Sequence, residues 1–221
     1  MSLSGFPLDL LSRGVKKQMR IIDISIPLTP SMPVWPGDPP PLMQGQSSGK
    51  VLVTSLSMGL HTGTHLDAPR HFLPDGKTLD AYPLDRFTGP VRVCAIHGAD
   101  SIRLDDVRGF DLSGVERVLF RTCNSNLWEE SGFQSGFIGL DPDAASYLAA
   151  SGVKLVGIDY LSIQAFGVDN NVHTILLEND VLILEGLNLS GVEDGDYMLC
   201  CCPLFIPGVE ASPVRAILMQ G

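Results

Sequence analysis

Eight short runs rich in Val, Ile and Leu, bounded by Gly, Pro, Asp or Asn, decide what this 221-residue chain can fold into. They span residues 21–26, 50–58, 91–96, 117–122, 154–158, 181–185, 197–201 and 214–218. Helical signals are fewer. The clearest is "DPDAASYLAASG", where Asp141 suits the cap, Pro142 the first turn and Gly152 the stop. A second helix is expected over residues 172–178 and a short one near 104–107. The strands do not alternate with helices one for one. The expectation is therefore an α/β fold with a mixed sheet, or two sheet layers with helices outside, not a doubly wound fold.

The hydrophobic fraction is 44% and the charged fraction 18%, enough apolar content for a sizeable core. One domain over residues 19–221 is expected, after an N-terminal extension of residues 1–18. A net charge of −10 excludes nucleic acid, whose binding needs a basic face, and an anionic membrane surface. No apolar run reaches the ~20 residues that span a bilayer. The N-terminus places its apolar part before its basic part, the reverse of a secretory signal, so a cytoplasmic protein is expected. The five cysteines include the run Cys200–Cys202. Three neighbours on a strand cannot aim at one ion, so they read as reduced, buried thiols. "PSMPVWPGDPPP" reads as a rigid extended loop.

Only five histidines occur, and three of them fall in "LHTGTHLDAPRHF". Gly59, Gly63 and Pro69 disfavour a helix there, and the preceding "KVLVTSLSMGL" alternates like a strand. If that extended conformation continues, His61, His65, Asp67 and His71 share one face, with Gly63 leaving room for an ion. Imidazoles with a carboxylate suit zinc, manganese or ferrous iron. The remaining ligands must come from elsewhere. His97 ends a strand without an acidic neighbour and reads as structural. His173 opens the helical part of "VHTILLENDVLILEGLNL", and Glu185 sits in an apolar strand where burial is costly unless a cation is near. The sequence "GQSSG" matches a nucleophile elbow, but its context is inverted, with a strand after and none before, so Ser47 reads as a turn residue.

"HTGTHLDAPRH" resembles the H-x-G-T-H-x-D-x-P-x-H signature of the cyclase-like metal-dependent hydrolases, a family that includes bacterial kynurenine formamidase and isatin hydrolase. "DISIPLTPSMPVWPGDPP" is similar to the family's N-terminal strand and substrate loop, and "HTILLENDVLILEGLNL" to its second metal segment. The resemblance implies a swivelling β/β/α fold working as a homodimer or homotetramer. It implies two divalent ions, zinc with manganese as the alternative. His61, His65 and Asp67 would hold one; Asp67, His173 and Glu185 would hold the other. His71 would be the acid/base residue, and Trp35 would meet the aromatic ring of the substrate. The implied reaction is hydrolysis of a small aromatic amide, N-formyl-L-kynurenine, to L-kynurenine and formate in tryptophan degradation. The alternatives are the same chemistry on another cyclic amide or lactone, such as isatin, and a non-catalytic module that binds metal or a small molecule.

Overall fold

The computed structural model describes residues 19–221, so the expected N-terminal extension lies outside the described residues. In chain order the elements are β1 (Arg20–Asp23), β2 (Leu42–Ser48), β3 (Val51–Ser57), β4 (His65–Asp67), β5 (Thr88–Ala95), α1 (Leu104–Arg108), β6 (Arg117–Arg121), α2 (Pro142–Ala150), β7 (Leu155–Ile158), α3 (Val172–Glu178), β8 (Leu182–Glu185), β9 (Gly195–Cys200), β10 (Ala211–Pro213) and β11 (Ile217–Gln220). Nine strands form one mixed sheet in the order β1-β11-β9-β5-β6-β7-β8-β4-β10. The pairs β5–β6, β6–β7 and β7–β8 are parallel, joined through α1, α2 and α3; the others are antiparallel. The remaining two strands, β2 and β3, pair only with each other.

Strand alternation sorts the core into two halves. Val118 and Phe120 of β6 join Val156, Ile158 and Ile183 against Val107, Leu148 and Leu176 of the three helices. Leu119, Leu155, Leu182 and Leu184 point the other way, toward Ile24, Leu66, Phe87 and Leu199. Each such buried aliphatic side chain contributes roughly 1.5–3 kcal/mol, so both faces of the central strands hold the sheet in place.

Four expectations need correcting. Ser47 is not in a turn; it lies within β2, opposite Leu52 of β3. The strand β2 escaped notice because "LMQGQSS" has no apolar alternation to bury. The extended run through residues 61–71 is also broken. Only His65–Asp67 is strand; Gly63 turns the chain at φ 74°, and Pro69–His71 forms a 3-10 turn. Gly63 does not leave room for an ion, because a side chain there would meet Leu28. Finally, of the cysteine run only Cys201 is buried; β9 ends at Cys200, and Cys202 is exposed.

Candidate metal and active site

Strand β4 sits between β8 and β10, and its register sets the site. His65 lies directly opposite Glu185, so the two side chains share a face. Asp67, opposite Ile183, shares it too. This is the helix-covered face, and α3 brings His173 over it. Turns, not alternation, add the two outer histidines: His61 precedes the Gly63 turn, and His71 closes the 3-10 turn, its N–H donating to Ala68 O at 2.9 Å. The hub of the local structure is Thr64. Its hydroxyl donates to Gly186 O at 2.6 Å and accepts from Ile26 N–H at 3.0 Å, while its carbonyl accepts from Val214 N–H at 2.9 Å.

The donor atoms converge. His61 Nδ1 lies 2.9 Å from Asp67 Oδ1; His65 Nε2 lies 3.4 Å from the same oxygen and 3.5 Å from Glu185 Oε2. His173 Nε2 lies 3.2 Å from Glu185 Oε1, which also accepts from Ile163 N–H at 2.7 Å. Several of these are approaches without aligned hydrogen bonds. His65 Nε2 and both oxygens of Asp67 are buried and have no hydrogen-bond partner. Buried polar atoms left in this condition carry a large desolvation cost, and a cation between them would remove it. Among the described residues, two groups have donor atoms within 4.8 Å of one another: His65, Asp67 and Glu185, all buried, and His61, Asp67 and His71. The structure thus puts His71 beside His61 and Asp67, and groups Glu185 with His65. The residues fit a bound divalent cation on chemistry as well as geometry, since imidazole and carboxylate donors suit zinc and manganese.

The electrostatics agree. Burial works against a charge on His65, but Asp67 and Glu185 together outweigh it and push its pKa up to about 10. Burial likewise opposes the charge on Asp67, yet His61 and His65 hold it well below the usual carboxylate range. Burial and Asp67 raise Glu185, but His173 and His65 prevail and lower it. The two carboxylates thus make this position favourable for positive charge, as a bound cation requires. Gly63 O lies 2.9 Å from His65 Nδ1. Assigning the proton to Nδ1 turns the Nε2 lone pair toward the carboxylates, as a ligand requires. His71 is different. It is exposed at the mouth, its ring 4.0 Å from that of His61, and loss of hydration lowers its pKa.

A cavity of about 280 Å³ opens above these groups, lined by His61, His65, His71, His173 and Glu185 together with Trp35, Asp38, Phe72, Leu161 and Ser162. Trp35 is half-buried, held edge-on by Phe133 at 5.6 Å and Phe166 at 5.3 Å. Phe72 stacks on His173 at 4.7 Å. Six of the seven residues expected at a site therefore line one cavity, and the seventh, Asp67, is buried against His61 and His65. His97 stays outside it, exposed beyond the end of β5. Sequence reasoning missed Phe72, Asp38, Gln164, whose Oε1 lies 3.4 Å from His173 Nδ1, and Glu210, 3.7 Å from His61. Phe72 adjoins the motif and Asp38 lies three residues after Trp35 in the quoted proline-rich loop, so both had a local signal. Gln164 and Glu210 arrive from distant segments, which no spacing reports.

The sequence profile of the Cyclase family matches residues 22–165. The chain is 38% identical over 202 residues to the kynurenine formamidase of Bacillus cereus, covering 89% of this chain and 96% of that protein. It is 38% identical over 207 residues to the kynurenine formamidase of Salinibacter ruber, covering 90% and 97%. Among solved structures, a protein from Bacillus stearothermophilus described as a predicted metal-dependent hydrolase superposes with a TM-score of 0.82 at 35% identity, over 92% of this chain and 100% of that one. Isatin hydrolase A from Ralstonia solanacearum superposes with a TM-score of 0.77 at 23% identity, over 92% of each chain, a likeness of fold.

Proposed function

The chain belongs to the Cyclase family, and from that premise we propose that it is a metal-dependent kynurenine formamidase, converting N-formyl-L-kynurenine and water to L-kynurenine and formate. The observation that carries this reading is the set of orphaned donor atoms at the floor of a cavity walled by aromatic side chains. The 38% identity to formamidases over nearly their full length favours the formyl amide over the lactam of isatin, whose hydrolases share less of the sequence.

His61, His65, Asp67, His173 and Glu185 would hold the divalent metal, zinc or manganese, in one or two positions. When bound, such an ion supplies Lewis acidity, lowering the pKa of water toward neutrality and drawing electron density from a carbonyl. The chain's own residues do the rest. Trp35 and Phe72 offer flat apolar surfaces to the aryl ring and exclude water from it. His71 stands at the mouth, where the substrate enters. A ligand gains from burial, but a proton carrier must reach the substrate. His71 accepts a proton from the attacking water and returns it to the aniline nitrogen as the C–N bond breaks. The carbonyl carbon leaves as formate and the amine as kynurenine, so one water is consumed. The reading extends to a cytoplasmic homodimer or homotetramer serving tryptophan degradation; its cysteines are all free. Among the described residues no helix is long and apolar enough to cross a membrane.

The test combines metal analysis with an assay on N-formyl-L-kynurenine and on isatin. Bound zinc or manganese with turnover of the formyl amide supports the reading. Metal-loaded protein that opens isatin and leaves the formyl amide intact would replace it with a lactam hydrolase.

A further inference from the structure

The loop that carries Trp35 closes on a tight turn. Asp38 N–H donates to Trp35 O at 3.0 Å, with Pro36 and Gly37 between them and Gly37 at φ 102°. This is the pattern of a type II turn, in which proline presets the first central residue and glycine supplies the positive φ of the second. The turn makes one rigid piece of the Trp35 ring and the Asp38 carboxylate, and both line the cavity. Phe133 and Phe166 brace the ring. Among the described residues, the Asp38 carboxylate pairs with no Lys, Arg or His. A second cavity of about 320 Å³ adjoins the first, sharing Trp35, Phe72, Ser162 and His173 with it and adding a further carboxylate, Asp169. No Lys or Arg lines either cavity. Each histidine that lines them is already a proposed ligand or the proposed acid/base residue. The walls thus offer carboxylates to a cation and no spare cation to a carboxylate.

We propose that Asp38 sets the substrate specificity of this cavity, by receiving an ammonium group on the side chain of an aryl formamide whose ring lies against Trp35. The inference rests on the formamidase reading and deepens it. N-formyl-L-kynurenine carries both groups that the turn would meet, an aryl ring and, a short chain away, an ammonium. Isatin has the ring and no cation. A carboxylate and an ammonium attract more strongly in a cavity that sheds part of its water than in bulk solvent, and the contact is a charge-assisted hydrogen bond. The substrate's α-carboxylate is treated differently. No side chain of the walls is free to receive it, and the charge on Asp38 repels it. The substrate class is therefore aryl formamides with an amine-bearing side chain, and the α-carboxylate is dispensable.

The test compares three substrates on the metal-loaded protein: N-formyl-L-kynurenine, the analogue that keeps its ketone and amine but lacks the α-carboxylate, and formanilide, a neutral aryl formamide. The unaltered protein should turn over the decarboxylated analogue with a kcat/KM equal to or above that for N-formyl-L-kynurenine, and formanilide with a lower one. In Asp38→Asn, which keeps the size of the side chain, the advantage of both amine-bearing substrates over formanilide should shrink about tenfold, mainly through KM, the scale of a hydrogen bond to a charged group at a partly exposed site. In Asp169→Asn the advantage should persist. An advantage that survives Asp38→Asn, one lost in Asp169→Asn instead, or an analogue that is not hydrolysed once its carboxylate is gone overturns the proposal. So does an equal loss on all three substrates, which would make Asp38 a part of the turn only. Titration calorimetry with the deformylated, decarboxylated amine and with aniline needs no turnover, so the two readings fail separately. Tighter binding of the amine that weakens in Asp38→Asn, with no formamide hydrolysed, would keep the role of Asp38 and remove the formamidase reading. Equal binding of the amine by both proteins would remove the role of Asp38.

Discussion

At the scale of single residues, the proposed ligands and the proposed acid/base residue differ in burial. His65 and Asp67 are 1% and 0% exposed, whereas His71 is exposed beside them. The replacement His71→Ala should therefore lower kcat by about 10²–10⁴, the usual contribution of a positioned acid/base group, and leave metal content as it was. Inductively coupled plasma analysis alongside steady-state kinetics checks both. Metal lost together with rate would make His71 a ligand through the group it forms with His61 and Asp67. The identities of these residues were legible in the sequence because histidine is rare here and the motif is local. Their manner of convergence was not. Alternation predicted one continuous face, but the φ of 74° at Gly63 and the proline at position 69 bend the chain on both sides of β4. Two turns achieve what an unbroken strand was expected to do.

At the scale of elements, the helices α1, α2 and α3 fall where the sequence placed them, because caps, periodicity and glycine stops are local signals. The strands β4 and β10 are three residues each and carry no pattern long enough to read. Elements are also tied by contacts the sequence does not announce. Asp180, in the turn between α3 and β8, accepts from Tyr82 Oη at 2.6 Å and Lys77 Nζ at 2.9 Å, and pairs with Arg86. This clamps the segment after the motif to the strand that carries Glu185. Burial works to raise the Asp180 pKa, but these three partners outweigh it and lower it. A depressed carboxylate contributes stability above its unfolded value, near pH 3.9, and loses it as pH falls through the folded value. The variant Asp180→Asn tolerates the positive φ of 60° at this position. It should cost about 0.5–1 kcal/mol at neutral pH, given the partial exposure of the cluster. Urea unfolding of both proteins should show the gap above pH 4 and its closure below.

At the scale of the whole molecule, the site is a joint between distant parts of the chain. His65 and Glu185 are 120 residues apart in sequence and directly opposite in the sheet. Metal that binds only the folded chain adds stability by mass action, about 4 kcal/mol at a thousandfold excess over Kd. Treatment with a chelator should thus lower the melting temperature, and restoring zinc or manganese should return it; differential scanning calorimetry reports both. Side chains alternate faces every residue, so a slip of β4 by a single position would send both histidine and aspartate to the opposite side and leave Glu185 facing Leu66 or Thr64. No partial score exists between those outcomes. A cation that needs all of these donors on one face would discriminate between registers by whether it binds at all, so under the proposed function the ion that supplies the chemistry would also verify that the sheet has been assembled in the right frame.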